Sequence, residues 1–180
     1  MSDDFLESLA TAAARSETYG RLAEAFLYPR NGNNGVLTGV EYTAAFDRSA
    51  NENACSLRGY AYAPEVHSTA LYEELLRFYQ FFGLSRAPNA DMPDHISVEL
   101  QFMQFLSSLE ANALDRGESP EPIHRAQQDF LIRHLSVLAG GVREKLRSDS
   151  VACKMLVDLC WDVVSYDLAR LQQILSYRIA

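Results

Sequence analysis

Asp91-Met-Pro-Asp-His-Ile-Ser-Val-Glu-Leu-Gln-Phe-Met103 reads as the start of a helix that runs into a mostly apolar body. Proline is favoured in a first turn, where its missing N–H has no intrahelical acceptor to lose. Asp91 is placed to cap that turn, and Asp94 adds a second negative charge near the positive helix end. With Ile96 at zero and about 100° per residue, Leu100 falls near 40° and Met103 near 340°. Leu106, Phe102, Leu109 and Val98 then run from about 280° round to about 200°. Ser97, Gln101, Gln104 and Asp94 hold the polar arc at about 80–160°. His95, at about 260°, and Glu99, at about 300°, fall inside the apolar sector and, four residues apart, can meet. Such a pair is either buried with partners or faces a pocket, because bare burial is costly.

Helical periodicity continues on both sides of this stretch. Residues 3–28 carry Phe5, Leu9, Ala12, Tyr19, Leu22, Ala23, Phe26 and Leu27 and stop at Tyr28-Pro29. Residues 31–35, Asn-Gly-Asn-Asn-Gly, form a loop by composition. A short helix is expected over 38–50 around Val40 and Phe46, then an irregular segment over 51–64 anchored by Tyr60 and Tyr62. Leu71, Leu75, Phe78, Tyr79 and Phe82 predict a helix over 67–83, ended by Gly83. A connector over 85–92 leads into the opening helix, which stops at Gly117. After a Pro-rich linker at 118–122, Phe130, Leu131, Leu135 and Leu138 predict a helix that Gly140-Gly141 interrupts or bends. Ser148 or Asp149 is placed to cap a last long helix through Val151, Met155, Leu159, Val163, Leu168, Leu171 and Leu175. No segment alternates as a strand, and no repeat occurs. The expected fold is all-α: one helical bundle of seven to nine helices over residues 1–180. The 118–122 linker leaves open a division into lobes 1–117 and 123–180.

The bulk numbers bound the function. A chain of 180 residues with 48% hydrophobic and 22% charged residues is an ordinary globular domain. The net charge of −8 sits in residues 1–110, which hold seven basic against fifteen acidic residues; residues 111–180 hold nine of each. An acidic half argues against nucleic acid and suits a basic peptide, while plain solubility is the simpler explanation of the charge alone. The alanine-rich stretch after Asp3 and Asp4 lacks a basic leader region, and no apolar run approaches the roughly 18 residues of a membrane span. Cys55, Cys153 and Cys160 show neither a disulfide framework nor zinc spacing, which points to a reducing compartment, the cytoplasm.

Candidate chemistry is thin. His95 and Glu99 are two metal ligands at helical spacing, but no Glu-x-x-His, HExxH, GxSxG or P-loop accompanies them. Asp94-His95 is the reverse of the His-Asp order of helical metal phosphohydrolases. His134 reads as a core histidine, and the aromatic run Phe78, Tyr79, Phe81 and Phe82 as core, with Phe81 off the main stripe. Trp161 reads as core or edge packing. Arg77, Arg125 and Arg133 are candidates to pair with Glu99 or Asp94.

Leu75-Leu-Arg-Phe-Tyr79, Phe82-Gly-Leu84 and Pro93-Asp-His-Ile-Ser-Val-Glu-Leu-Gln-Phe-Met103 closely resemble the TorD/DmsD/NarJ-type redox-enzyme maturation chaperones. The hallmark is a Pro-Asp-His element followed by Glu-Leu-x-Phe-Met, here Pro93, Asp94, His95, Glu99, Leu100, Phe102 and Met103. Tyr19 to Pro29 is similar to the family's first helix, and Gln127 to Leu135 to its later Phe…His-Leu helix. Gly140-Gly141 departs from the pattern, standing near where many members carry tryptophan and continuous helix.

The resemblance implies an all-helical cytoplasmic chaperone without catalysis or a cofactor of its own. It implies binding the precursor of a molybdenum oxidoreductase catalytic subunit, often at its twin-arginine leader. The precursor is held until the molybdopterin guanine dinucleotide is inserted, which delays export. The family's binding residues carry over to Asp94 and His95, with Glu99, Asp91, Pro93, Phe102 and the 85–92 connector as neighbours. Guanine nucleotide binding and swapped dimers are associated with some relatives and have no motif here; monomer and homodimer both stay open. The rival readings are a metal-dependent helical hydrolase using His95 and Glu99, and a helical scaffold for another basic partner.

Overall fold

Six helical rods surround one apolar core in the computed structural model, which describes residues 9–85, 87 and 91–176. They are α1 (Ala12–Ala25), α2 (Gly39–Phe46), α3 (Ser68–Phe81), α4 (Ile96–Asp115), a rod built of α5 (Glu121–Phe130) and α6 (Ser136–Lys145), and α7 (Val151–Ser176). The expected all-α class holds, with slightly fewer rods than the seven to nine expected. The difference lies mainly in the rod from 121 to 145, which passes through a π-helical turn at Leu131–Leu135 without stopping. Among the described residues only two isolated β-bridges occur, Asn33 with Thr38 and Arg58 with His95. None of the described helices is long and apolar enough to cross a membrane.

Local chemistry sets the helix ends. The first described helix starts at Ala12, where Thr11 Oγ1 accepts the Ala14 N–H at 3.2 Å; residues 3–8 of the expected 3–28 helix, Phe5 among them, lie outside the described residues. A capping box between Thr38 and Glu41 starts α2. Gly83 and Gly117 end α3 and α4 at φ of 75° and 67°, where a Cβ would clash with the backbone. The last helix is capped by Ser150, not Ser148 or Asp149: its Oγ accepts the Cys153 N–H at 3.2 Å.

Gly140 and Gly141 do not interrupt their helix. They let neighbours approach: a Cβ on Gly140 would stand 2.9 Å from the Trp161 ring, and one on Gly141 2.3 Å from the Tyr62 ring. The pair therefore admits α7 on one side and the irregular 51–64 segment on the other. That segment folds only into a short 3₁₀ turn at Gly59–Ala61.

The core joins both sides of the 118–122 linker: α1 packs along α4, while the 121–145 rod packs on α7 and α4. Phe78, Tyr79, Phe82, Phe102 and Phe130 form a mostly edge-to-face aromatic box between α3, α4 and α5, with centroids 4.7–6.4 Å apart. Each such contact contributes about 0.5–1.5 kcal/mol beyond burial. His134 completes the box in the π-helical turn, edge-on to Phe78 at 5.4 Å. Its Nε2 lies 3.3 Å from the Glu74 carboxylate. Phe81 leaves the box and is 83% exposed, in a shallow groove with Arg77 and Arg125.

A second interior cluster is ionic. Glu110 of α4 accepts from Arg15 of α1 at 2.6 Å, meets Nε2 of His124 at 2.9 Å and accepts from Gln127 of α5 at 3.0 Å. Asp167 of α7 accepts from Tyr19 at 3.0 Å and Arg170 at 2.7 Å, and Arg170 also reaches Glu110 at 3.4 Å. Four helices are thus clasped by one buried network, in which only Arg15 Nε and His124 Nδ1 among these side chains are buried nitrogens lacking a hydrogen-bond partner among the described residues.

Candidate functional site

The segment before α4 is held by its backbone. Gly59 donates its N–H to the carbonyl of Asp94 at 2.8 Å, and Ile96 donates to Leu57 at 2.9 Å. Tyr79 donates its hydroxyl to the Pro93 carbonyl at 2.8 Å. The helix therefore begins at Ile96, a few residues later than a proline-first start would place it: His95 is the N-cap, its Nδ1 accepting from the Ser97 N–H at 3.2 Å and lying 2.7 Å from Ser97 Oγ. Pro93 precedes the cap, so neither it nor Asp91 starts the helix. Nδ1 of His95 is engaged in its own cap, and among the described residues no hydrogen bond joins the His95 and Glu99 side chains.

Asp94 is fully buried and is not a free helix-end charge. Its Oδ1 accepts from Arg58 Nε at 2.6 Å and its Oδ2 from the Tyr60 N–H at 3.2 Å. The candidate arginines are engaged elsewhere: Arg77 with Glu73, Arg125 with Glu121, and Arg133 with Asp129 and Glu74. Arg58 carries no signal of this pairing in the sequence, because it lies in a stretch without periodicity, where no helical register assigns partners.

Glu99 is buried below, and its Oε2 has no hydrogen-bond partner among the described residues. Burial and then the charge of Asp94 push its carboxyl well above the usual carboxylate range, toward the neutral form. Burial also holds the His95 imidazole below its usual range, against the nearby charge of Asp91. Phe102 is buried in the aromatic box, and Pro93 is buried beside Tyr79. Asp91 is exposed, and His95 is half-buried.

Two concavities flank the segment. An apolar groove of about 340 Å³ lies between α3 and α4, lined by Leu76, Tyr79, Pro93, Val98, Phe102 and Phe105, with Asp91 on its edge. A more polar one of about 420 Å³ lies on the other side, with Asp91, His95, Glu24, Tyr42 and the 28–34 loop. Asp91 lines both. Arg86 and residues 88–90 of the expected 85–92 connector lie outside the described residues. Among the described residues no group of three or more His, Cys, Asp or Glu side chains converges as a metal site.

The ionic clasp of Arg15, Glu110, His124, Asp167 and Arg170 was also missed from sequence. One signal was available: on the wheel used for His95 and Glu99, Glu110 falls at about 320°, inside the same apolar sector.

Residues 7–142 match the family model described as nitrate reductase delta subunit. The selenate reductase assembly chaperone protein of Thauera selenatis is 31% identical over 154 residues, which cover 77% of this chain and 80% of that protein. The chlorate reductase assembly chaperone protein of Ideonella dechloratans is 31% identical over 150 residues, 75% of this chain and 78% of that protein. The dimethyl sulfide dehydrogenase assembly chaperone protein of Rhodovulum sulfidophilum is 36% identical over 123 residues, 61% of this chain and 47% of that protein. With the Pro93–Met103 motif intact and the fold all-helical, the chain belongs to the nitrate reductase delta subunit family of redox-enzyme maturation chaperones.

Proposed function

We propose that this protein is a cytoplasmic, system-specific chaperone for the catalytic subunit of a molybdenum oxidoreductase, and that it receives the twin-arginine leader of the precursor at the start of α4. It holds the precursor until the cofactor is inserted and has no catalysis of its own. The observation that carries this reading is the adjacency of an apolar groove and an acidic edge within one motif. Val98, Phe102 and Phe105 offer an apolar surface, and Asp91 stands where that surface meets the polar concavity around His95. A leader carries the complementary sequence, arginines followed by apolar residues. Arginine suits a carboxylate edge and the apolar stretch suits the groove. A volume of about 340 Å³ takes a few apolar side chains, so the remainder of the precursor is left to other contacts.

The site residues divide by role in this proposal. Asp91 and His95 meet the client, Pro93 and Phe102 shape the groove, Asp94 supplies the buried charge between the two concavities, and Glu99 lies buried near it, pushed toward the neutral form. The test is calorimetric titration with the leader peptide of the oxidoreductase encoded beside this gene, using wild type, Val98→Asp, Asp91→Asn and His95→Ala. Binding is expected for wild type and weakened in all three variants. Unchanged affinity in all three would refute the site, and no binding of either leader or full-length precursor would refute the function.

A further inference from the structure

Arg58 occupies a cage built for a guanidinium group. Its Nε donates to Asp94 Oδ1 at 2.6 Å and its Nη2 to the Tyr72 hydroxyl at 2.7 Å. Its guanidinium carbon lies 5.4 Å from the Tyr60 ring centroid and 5.6 Å from that of Tyr72. A carboxylate, a phenol oxygen and two aromatic rings are the groups that recognise arginine by charge, directed hydrogen bonds and cation–π attraction.

The receptor half of this cage stands without the Arg58 side chain. Asp94 is oriented by the Tyr60 N–H on Oδ2 at 3.2 Å and by the Gly59 N–H on its carbonyl at 2.8 Å. The occupant, by contrast, is 26% exposed and hangs from an irregular segment, so the cage is open to solvent on one side. Asp94 also stands between Pro93, which lines the apolar groove, and His95, which lines the polar concavity.

We propose that the Asp94–Tyr60–Tyr72 cage is an arginine subsite that the chain fills with its own Arg58, and that an arginine of the client enters it by displacing Arg58. The displacement rests on the leader-binding reading above; the cage itself does not. Exchange of one guanidinium for another keeps the buried Asp94 carboxylate paired, whereas any other exchange strands it. A lysine is a point charge that reproduces neither the forked hydrogen bonds nor the stacking, so the cage discriminates for arginine. Arg58 then acts as a threshold, because a client sees only the fraction of molecules whose cage is vacant.

The test uses the full chain with three leader peptides, carrying Arg-Arg, Lys-Lys or Gln-Gln ahead of the same apolar stretch. Arg58→Gln is expected to bind the Arg-Arg peptide about tenfold more tightly than wild type, the gain when the competent fraction rises from about a tenth to one. Its affinity for the other two peptides stays at the wild-type value. Methylguanidinium is expected to raise the melting temperature of Arg58→Gln more than methylammonium does at equal concentration. In wild type, the Arg58 Nε–H resonance is expected to move with the Arg-Arg peptide and not with Gln-Gln, a readout that needs no variant to fold. Equal affinity of wild type and Arg58→Gln for Arg-Arg, or an unmoved Arg58 resonance at saturation, overturns the displacement. No preference for methylguanidinium overturns the cage. Failure of every peptide to bind wild type sinks the leader reading and the displacement together, and leaves the methylguanidinium result to decide the cage.

Discussion

Replacing Glu110 by glutamine removes the charge at the centre of the ionic clasp without removing its volume. Burial by itself pushes the Glu110 carboxyl up, but the hydrogen bond from His124 and the charges of Arg15 and Arg170 override it and bring it from 4.5 down to about 2. A carboxyl depressed on folding contributes stability that is fully present above its unfolded value and is lost as pH falls toward its folded one. At about 1.4 kcal/mol per pH unit, the interval from 4.5 to about 2 corresponds to about 3 kcal/mol at pH 7. The same linkage leaves about 1 kcal/mol at pH 3. Glutamine keeps a carbonyl for one of the donors but leaves Arg15, almost wholly buried, without its nearest anion. Urea and thermal unfolding of wild type and Glu110→Gln at pH 7 and pH 3 measure the difference directly. At pH 7 the variant is expected to melt about 6–12 °C lower, at about 2–4 °C per kcal/mol for a chain of this size. A difference near zero at pH 7, or one that does not shrink between pH 7 and pH 3, would show that the clasp is not held by the Glu110 charge.

Three further outcomes are expected. Glu99 titrates the opposite way: its folded carboxyl is raised, so its contribution is present at low pH and lost as pH rises above the ordinary 4.5. Wild type should therefore lose stability relative to Glu99→Gln as pH rises, and parallel unfolding curves would contradict this. Gly141→Ala places a methyl 2.3 Å from the Tyr62 ring and should cost about 1–3 kcal/mol, most of it recovered in the Tyr62→Ala background, as read by a double-mutant cycle. His95→Ala should cost about 1 kcal/mol of thermal stability through loss of the N-cap, and His95→Asn should restore it; equal losses in the two variants would remove the cap assignment.

The clasp and the cage belong to the same class of interaction, and both explain why the site was only half legible beforehand. The wheel found His95 and Glu99 odd, but it assumed that His95 lies within the helix. The start at Ile96 depends on Ser97 bonding to the His95 ring and on the pairing of Leu57 and Gly59 with the segment before it. The latter contacts reach across more than 30 residues. Phe102 and Pro93 were legible as apolar, yet their placement along a groove required α3 to dock. The family motif marks the same residues without saying which are buried; the structure buries Pro93, Asp94, Glu99 and Phe102 and leaves Asp91 at the surface.

The amino-acid sequence by itself determined the helical class, the positions of α3, α4 and α7 to within a few residues, and the stops at Gly83 and Gly117. These depend on side chains three and four residues apart and on cap chemistry, which are local. Only the tertiary structure decided that Arg58 is the partner of Asp94, that Glu110 gathers hydrogen-bonding and charged partners from three other helices, and that Gly140-Gly141 continues a helix. A buried charge takes whichever opposite charge the packed chain brings within hydrogen-bond reach, and a bare helix backbone is explained only by the ring that lies against it.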